Sequence, residues 1–188
     1  MTFVVDGTNG LTFNDATTQS STATNASNIS SGTLGKARLP TGSVLQVVQG
    51  TTTTTVSTSS ATLVDTGLTA TITPLFSTSK ILVLISQSLA VNNSTNTFNS
   101  IGLAILRNST NVFSSDRALS IRAAVSASGD VISDALVAFN YLDSPATTSA
   151  TTYKTQFRVF DSANGNVKAQ ESLNTASASS ITLMEISA

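Results

Sequence analysis

From Thr41 onward, apolar and polar residues alternate in short runs separated by turn residues, and no window of a dozen residues sustains a 3.6-residue period. The pattern predicts strands over Ser43–Gln49, Thr51–Ser57, Leu63–Thr73 (ending at Pro74), Lys80–Val91, Ile101–Arg107, Leu119–Val125, Val131–Leu142, Tyr153–Phe160, Val167–Glu171 and Ile181–Ile186. Short strands at this spacing indicate a sandwich or barrel rather than helices alternating with strands. In Leu119–Val125 and Tyr153–Phe160 one face is apolar and the other carries Ser120 and Arg122, or Lys154, Gln156 and Arg158. Each is expected to be half-buried with one wet face. Lys80–Val91 differs. Ile81, Val83, Ile85, Leu89 and Val91 share one face, yet Leu82 and Leu84 make the other face apolar too. In a two-layer sandwich that second face meets water, so Leu82 and Leu84 are candidates for a subunit interface, the plainer alternative being cover by a loop of the same chain. Asn164-Gly165 between two β-prone runs predicts a tight hairpin joining Tyr153–Phe160 to Val167–Glu171. The polar stretches at Asn92–Ser100, Ser126–Asp130, Ser144–Thr152 and Asn174–Ser180 read as loops. The first and third are the longest, and long loops on a rigid scaffold are where binding concentrates. Asn93, Asn96, Phe98, Asn99, Thr147 and Thr148 are the candidate contact residues there.

Residues 1–40 follow another pattern. Two β-prone pieces, Thr2–Val5 and Gly10–Phe13, surround the turn signals Asp6-Gly7 and Asn9-Gly10. Asn14 to Ser31 is then almost entirely Asn, Ala, Ser, Thr and Gln. Ile29, Leu34 and Leu39 are the large apolar residues between Asn14 and Pro40. Such a segment cannot bury itself alone. It is either a flexible linker or a stem whose Ile29, Leu34 and Leu39 are covered by sister copies. The expected division is therefore a segment at 1–40 and a β-domain at 41–188.

Composition narrows the chemistry. The 188 residues include no Cys, His or Trp, 9 Lys+Arg and 10 Asp+Glu, for a formal charge of −1. Without thiols there is no disulfide, Cys nucleophile or thiolate metal site. Without imidazole the commonest general base and metal ligand is missing. The balanced charge offers no footprint for nucleic acid or an anionic membrane, and the longest apolar run, Ile81–Ile85, falls far short of the ~18 residues of a membrane span. Ser and Thr supply 61 residues, so the polar surface is mostly hydroxyl, and self-repulsion is weak. A charge-poor, Thr-rich β-chain of this kind reads as an assembly protein.

Motif matches do not alter that reading. Ser77-Thr78-Ser79-Lys80 has the S-x-x-K spacing of acyl enzymes, but it precedes a strand and lacks companion elements, so Lys80 is read as a charge guarding an apolar strand. Asp161–Asn166 resembles a calcium loop with its Gly one place early and Ser172 where a Glu is required, so a turn is expected. Asp130 and Asp134 read as marking the start of the strand and a salt-bridged face rather than a catalytic pair. Five N-x-[ST] sequons match chance for a chain so rich in hydroxyls. No cofactor and no catalytic residue is expected.

Residues 26–40, with Asn28-Ile29-Ser30-Ser31-Gly32-Thr33-Leu34 and Ala37-Arg38-Leu39-Pro40, resemble an N-I-S-S-G-T-L-x-x-A-R-L-P element of bacteriophage tail fibres. Gly10-Leu11-Thr12-Phe13-Asn14-Asp15-Ala16-Thr17-Thr18-Gln19 is similar to a stretch that often precedes it in phage structural proteins. The resemblance implies a homotrimeric, fibre-type virion protein. Its N-terminal segment would join other virion proteins of tail, baseplate or capsid, and its jelly-roll-like β-sandwich would meet a host cell-surface polysaccharide or protein. Neither nucleic acid nor membrane insertion is implied. A head-fibre, decoration or baseplate protein without a receptor is the alternative, and a depolymerase-like hydrolase ranks below both because its ten carboxylates form no close cluster in sequence.

Overall fold

The computed structural model describes residues 35–93, 98–122, 131–161 and 165–188 in full, together with the backbone of three short strands at 4–6, 10–12 and 18–19. The chain forms two compact units, Met1–Arg38 and Leu39–Ala188. In the first, β1 (Val4–Asp6), β2 (Gly10–Thr12) and β3 (Thr18–Gln19) pair antiparallel in sequence order. Asp6 faces Gly10 across the first connection, in keeping with the turn signals on either side of it. One turn of 3-10 helix, Lys36–Arg38, follows near the end of the unit.

The second unit continues with β4 (Val44–Thr52), β5 (Val56–Thr58), β6 (Val64–Ile72), β7 (Lys80–Asn93), β8 (Phe98–Arg107), β9 (Thr110–Arg122), β10 (Val131–Asp143), β11 (Thr151–Val159), β12 (Gly165–Ala169), β13 (Glu171–Ser172), β14 (Thr175–Ala176) and β15 (Ser179–Ile186). Every pairing is antiparallel. Strand β7 organises a six-stranded sheet. One edge pairs along its whole length with β10, and the other pairs with β15 near Lys80–Ser86 and with β12 near Leu89–Asn93. Strands β4 and β5 lie outside β15 and β12. The second sheet runs β6–β11–β8–β9. Among the described residues of the large sheets, β8 and β9 alone are hairpin neighbours, around Asn108, which takes φ 54°.

Alternation builds the core as predicted. Ile81, Val83, Ile85, Leu89 and Val91 of β7 face Tyr153, Phe157 and Val159 of β11 and Ile101, Leu103 and Ile105 of β8, all buried. Each large side chain removed from water in this way contributes about 1.5–3 kcal/mol. The core is nevertheless not continuous. Thr66, Gln87, Thr155 and Gln170 are all fully buried and lie between an apolar cluster around Tyr153 and another around Phe157. Thr66 and Thr155 share a hydroxyl hydrogen bond, and the Gln170 amide, with its nitrogen turned toward Thr66 O at 2.9 Å, accepts from Gln87 Nε2 at 3.0 Å. These bonds satisfy the two threonine hydroxyls and the Gln170 amide, which is the condition for burying them, whereas Gln87 Oε1 is buried without a partner among the described residues.

Several sequence expectations are corrected. The Asn164-Gly165 connection is not a hairpin, because β11 belongs to the four-stranded sheet and β12 to the six-stranded one. A glycine is needed at 165 for another reason: a Cβ there would fall 1.8 Å from Asn99 Nδ2. The predicted loop at 92–100 is mostly strand, with β7 running to Asn93 and β8 starting at Phe98. The run Thr51–Ser57 is split. Thr51 and Thr52 end β4, and a turn in which Thr54 N donates to Thr52 Oγ1 precedes β5. Strand β9 begins nine residues before the predicted Leu119, since Thr110–Ala118 carries too many polar residues to show an apolar face.

Candidate functional site

Two outward surfaces of the Leu39–Ala188 unit combine chemistry from several strands, one apolar and one cationic. The apolar surface lies on the six-stranded sheet. Cross-strand register places Val47 opposite Met184, Met184 opposite Leu82, and Leu82 opposite Leu142, so one apolar row crosses β4, β15, β7 and β10. Val47 and Leu142 are 55% and 50% exposed, and Leu82 and Met184 are half-buried. The adjoining row runs Gln49, Thr182, Leu84, Asn140. Further along β7 the same face is covered by this chain itself. Ser88 and Ala90 are buried there, and the Ser88 hydroxyl donates to Glu171 O at 2.9 Å. Same-chain cover thus extends over Ser88 and Ala90, while Leu82 and Leu84 are half-buried. At the sheet margin, β10 pairs only with β7 among the described residues and has neither Pro nor Lys, the residues that usually blunt an exposed edge.

The cationic surface lies on the outer face of the four-stranded sheet. Arg122 stacks over Phe98 at 6.0 Å from the ring centroid, and Arg117 reaches Phe98 at 5.3 Å and Phe160 at 5.6 Å. Arg158 covers Phe160 at 4.9 Å. The result is an alternating ladder, Arg122–Phe98–Arg117–Phe160–Arg158. Local structure makes it possible. Phe98 and Arg122 are paired across β8 and β9, and the register then shifts so that Asp116–Ala118 oppose the region around Gly102. Gly102 leaves room for Arg158 to cross β8, since a Cβ there would meet Arg158 Cγ and Nε at 3.0 Å. Arg117 is clamped by Asp161 through Nε–Oδ2 at 2.9 Å and Nη2–Oδ1 at 2.8 Å, while Arg158 Nη2 reaches Asp116 Oδ1 at 3.0 Å. The Arg117 guanidinium, helped by the Ser100 hydroxyl, holds the Asp161 carboxyl below the usual carboxylate range. Beside Arg158 a shallow groove of 130 Å³ is lined by Gly102, Ala104, Asn111, Ser114, Ser115 and Asp116 among others.

The residues singled out in the sequence fall in different places. Leu82 and Leu84 lie on the apolar outer face, and Leu39 is half-buried in the second unit. Ile29, Leu34 and Asn96 lie outside the described residues, as does Asp130. Asn93 and Asn99 are fully buried in β7 and β8, so they are corrected from loop contacts to packing residues. Asn93 lies two residues from buried Val91, Asn99 belongs to a run of β8 that is buried at every position from 99 to 106, and Asn99 Nδ2 donates to Asn92 O at 3.1 Å. Phe98 is likewise a strand residue, but it faces outward in the ladder. Thr147 and Thr148 remain in a loop, half-buried and exposed, where Thr147 Oγ1 accepts from Ser149 N. That loop lies by Arg107 and Asn108, at the other end of β8 from Phe98, and ten strand residues span about 30 Å. The two predicted loops therefore do not form one site. Lys80 opens β7 beside the Ser77-Thr78 turn, and Asp134, expected on a salt-bridged face, instead accepts from Ser172 Oγ at 2.6 Å with no ion pair among the described residues. Sequence reasoning missed Arg117, Asp116, Asp161 and Phe160. Its partial signal was the placement of Arg122 and Arg158 on polar strand faces.

No protein-family model and no curated protein matches this chain. Among solved structures it is similar to the D431N mutant VP2 protein of infectious bursal disease virus in derived T=1 particles, at 12% identity with a TM-score of 0.34, to infectious bursal virus derived T=1 particles, at 11% identity and 0.34, and to infectious bursal disease virus strain Gx, at 15% identity and 0.31. These matches cover 76–77% of this chain and 36–37% of the other, so the chain spans little more than a third of those proteins.

Proposed function

We propose that this chain is a fibre-type structural protein of a bacteriophage particle, working as a homotrimer that attaches the virion to the host surface. Residues 1–40 join it to the particle, and the β-sandwich is the part presented to the host. The observation that carries the assembly reading is the row Val47–Met184–Leu82–Leu142, an apolar stripe across four strands with two half-buried members between exposed ends. Contiguous exposed apolar area on a soluble protein marks a contact surface, and the scarcity of charge removes the repulsion that keeps chains apart. The phage assignment is supported by residues 26–40, whose resemblance to a tail-fibre element is the more specific, and by residues 10–19, whose likeness to a stretch of phage structural proteins is the less specific. Recognition then works by multivalency, since three linked copies raise apparent affinity without any new contact.

Light scattering on the full chain at micromolar concentration tests the trimer, and a mass of one chain removes it. Imaging of labelled particles tests position. Density at the tail tip supports attachment, whereas density on the capsid replaces it with decoration. Binding of the protein to host cells, competed away by host surface polysaccharide, is the expected third result.

A further inference from the structure

We propose that the Arg122–Phe98–Arg117–Phe160–Arg158 ladder, with the groove beside Arg158, is a binding site for a carboxylate-bearing polysaccharide. This deepens the attachment reading and rests on it for its biological setting. Three of the nine cationic side chains of this charge-poor protein converge on the ladder. Elsewhere on the same unit Arg107, Lys154 and Lys168 are each paired with a carboxylate, Asp143, Asp65 and Glu171. The ladder is different at its ends. Arg117, in the middle, is neutralised by Asp161, whose two oxygens accept from its Nε and Nη2. Arg158 gives a single nitrogen to Asp116, and Arg122 has no carboxylate partner among the described residues. Two guanidinium groups with open donors are thus fixed in orientation by aromatic rings and separated by a neutralised centre.

That arrangement selects its ligand. Phe98 and Phe160 each have two guanidinium groups against them, so they are not free platforms for sugar stacking. What they supply is a rigid mount for planar forks, which match carboxylates with paired hydrogen bonds. The groove adds hydroxyl and amide groups from Ser114, Ser115 and Asn111 beside Gly102, Ala104 and the Arg158-paired Asp116, suited to the hydroxyls of a sugar ring. A polymer carrying carboxylates at intervals along a hydroxyl-rich backbone fits both parts. A neutral sugar fits the groove alone.

The test measures binding of polygalacturonate oligosaccharides and of neutral dextran to the full-length protein, with Arg122→Gln, Arg158→Gln, the double variant and Lys80→Gln as a control for net charge. Saturable binding of polygalacturonate that weakens with added salt is expected, with none for dextran. Each arginine variant should lose about tenfold in affinity, the double variant more, and Lys80→Gln almost nothing. Equal binding of dextran, no binding of polygalacturonate, or unchanged affinity in a double variant with native circular dichroism overturns the proposal. Arg122 is exposed, so its single variant keeps the test open if Arg158→Gln does not fold. Scattering mass is recorded on the same samples. A trimer that ignores polygalacturonate removes this site and leaves the fibre reading, whereas a monomer that binds it does the reverse.

Discussion

Tyr153 donates its phenol to Asp143 Oδ2 at 2.7 Å, and Asp143 in turn is held by Arg107 Nη1 at 2.9 and 3.0 Å, closing one end of the core. Burial, followed by the hydrogen bond to the Asp143 carboxylate, pushes the phenol well above its ordinary value of 10.0. Above about pH 10 the unfolded chain therefore releases a proton that the folded chain keeps. Stability should stay level below that pH and fall as pH rises beyond it, and Tyr153→Phe should flatten that fall in urea midpoints taken from neutral to strongly alkaline pH. Glu185 works in the opposite direction. Burial raises its carboxyl, but Gln46 Nε2 at 2.6 Å and the backbone N–H of Leu75 and Phe76 at 2.8 and 3.3 Å outweigh that and hold it below its ordinary 4.5. Its contribution is present above the unfolded value and is lost as pH falls through the lowered one. Glu185→Gln should cost about 1–2 kcal/mol at neutral pH, and the gap from wild type should close toward pH 3 in thermal melts. Neither network was legible in the sequence, because partners such as Gln46 and Glu185 are far apart along the chain and meet only through β4–β15 pairing.

At the scale of elements, alternation was enough to locate the core strands. Tyr153, Phe157 and Val159 are buried on the predicted face of β11, and Ile81, Val83 and Ile85 on that of β7. Thr155 and Gln87 follow the same alternation into the core, and there only the opposing strands reveal why polar residues are tolerated. Gln87→Leu should leave Gln170 without its donor and cost about 1–3 kcal/mol in chemical denaturation, and a gain in stability would show the seam to be dispensable. The hairpin expected at Asn164-Gly165 was misplaced because a turn signal says where the chain bends, not which sheet it enters next. The missed first half of β9 had the converse cause, since an edge strand with a wet outer face and a register shift leaves little periodic trace. On β7, the double change Leu82→Asp and Leu84→Asp sets two charges on the apolar outer face. It should reduce the scattering mass to that of one chain while leaving circular dichroism native. Retention of a trimer would move the interface elsewhere.

For the whole molecule, the apolar row and the cationic ladder make opposite predictions for salt. Association through Val47, Met184, Leu82 and Leu142 involves little charge, so the assembled mass should persist between about 50 mM and about 1 M sodium chloride. Binding at Arg122 and Arg158 should weaken across the same range, and a parallel loss of both would mean that one surface serves both roles. By itself, the sequence determined the all-β character, the approximate strands, the doubly apolar β7 and the exclusion of thiol and imidazole chemistry. These are properties of residue types and their period of two along the chain. Only the tertiary structure decided that β11 and β12 lie in different sheets, that the two predicted binding loops sit at opposite ends of β8, and that Arg117, Phe160 and Asp161 join Arg122, Phe98 and Arg158. Those facts depend on cross-strand register and layer order, which bring together residues tens of positions apart and leave no local signal in the chain.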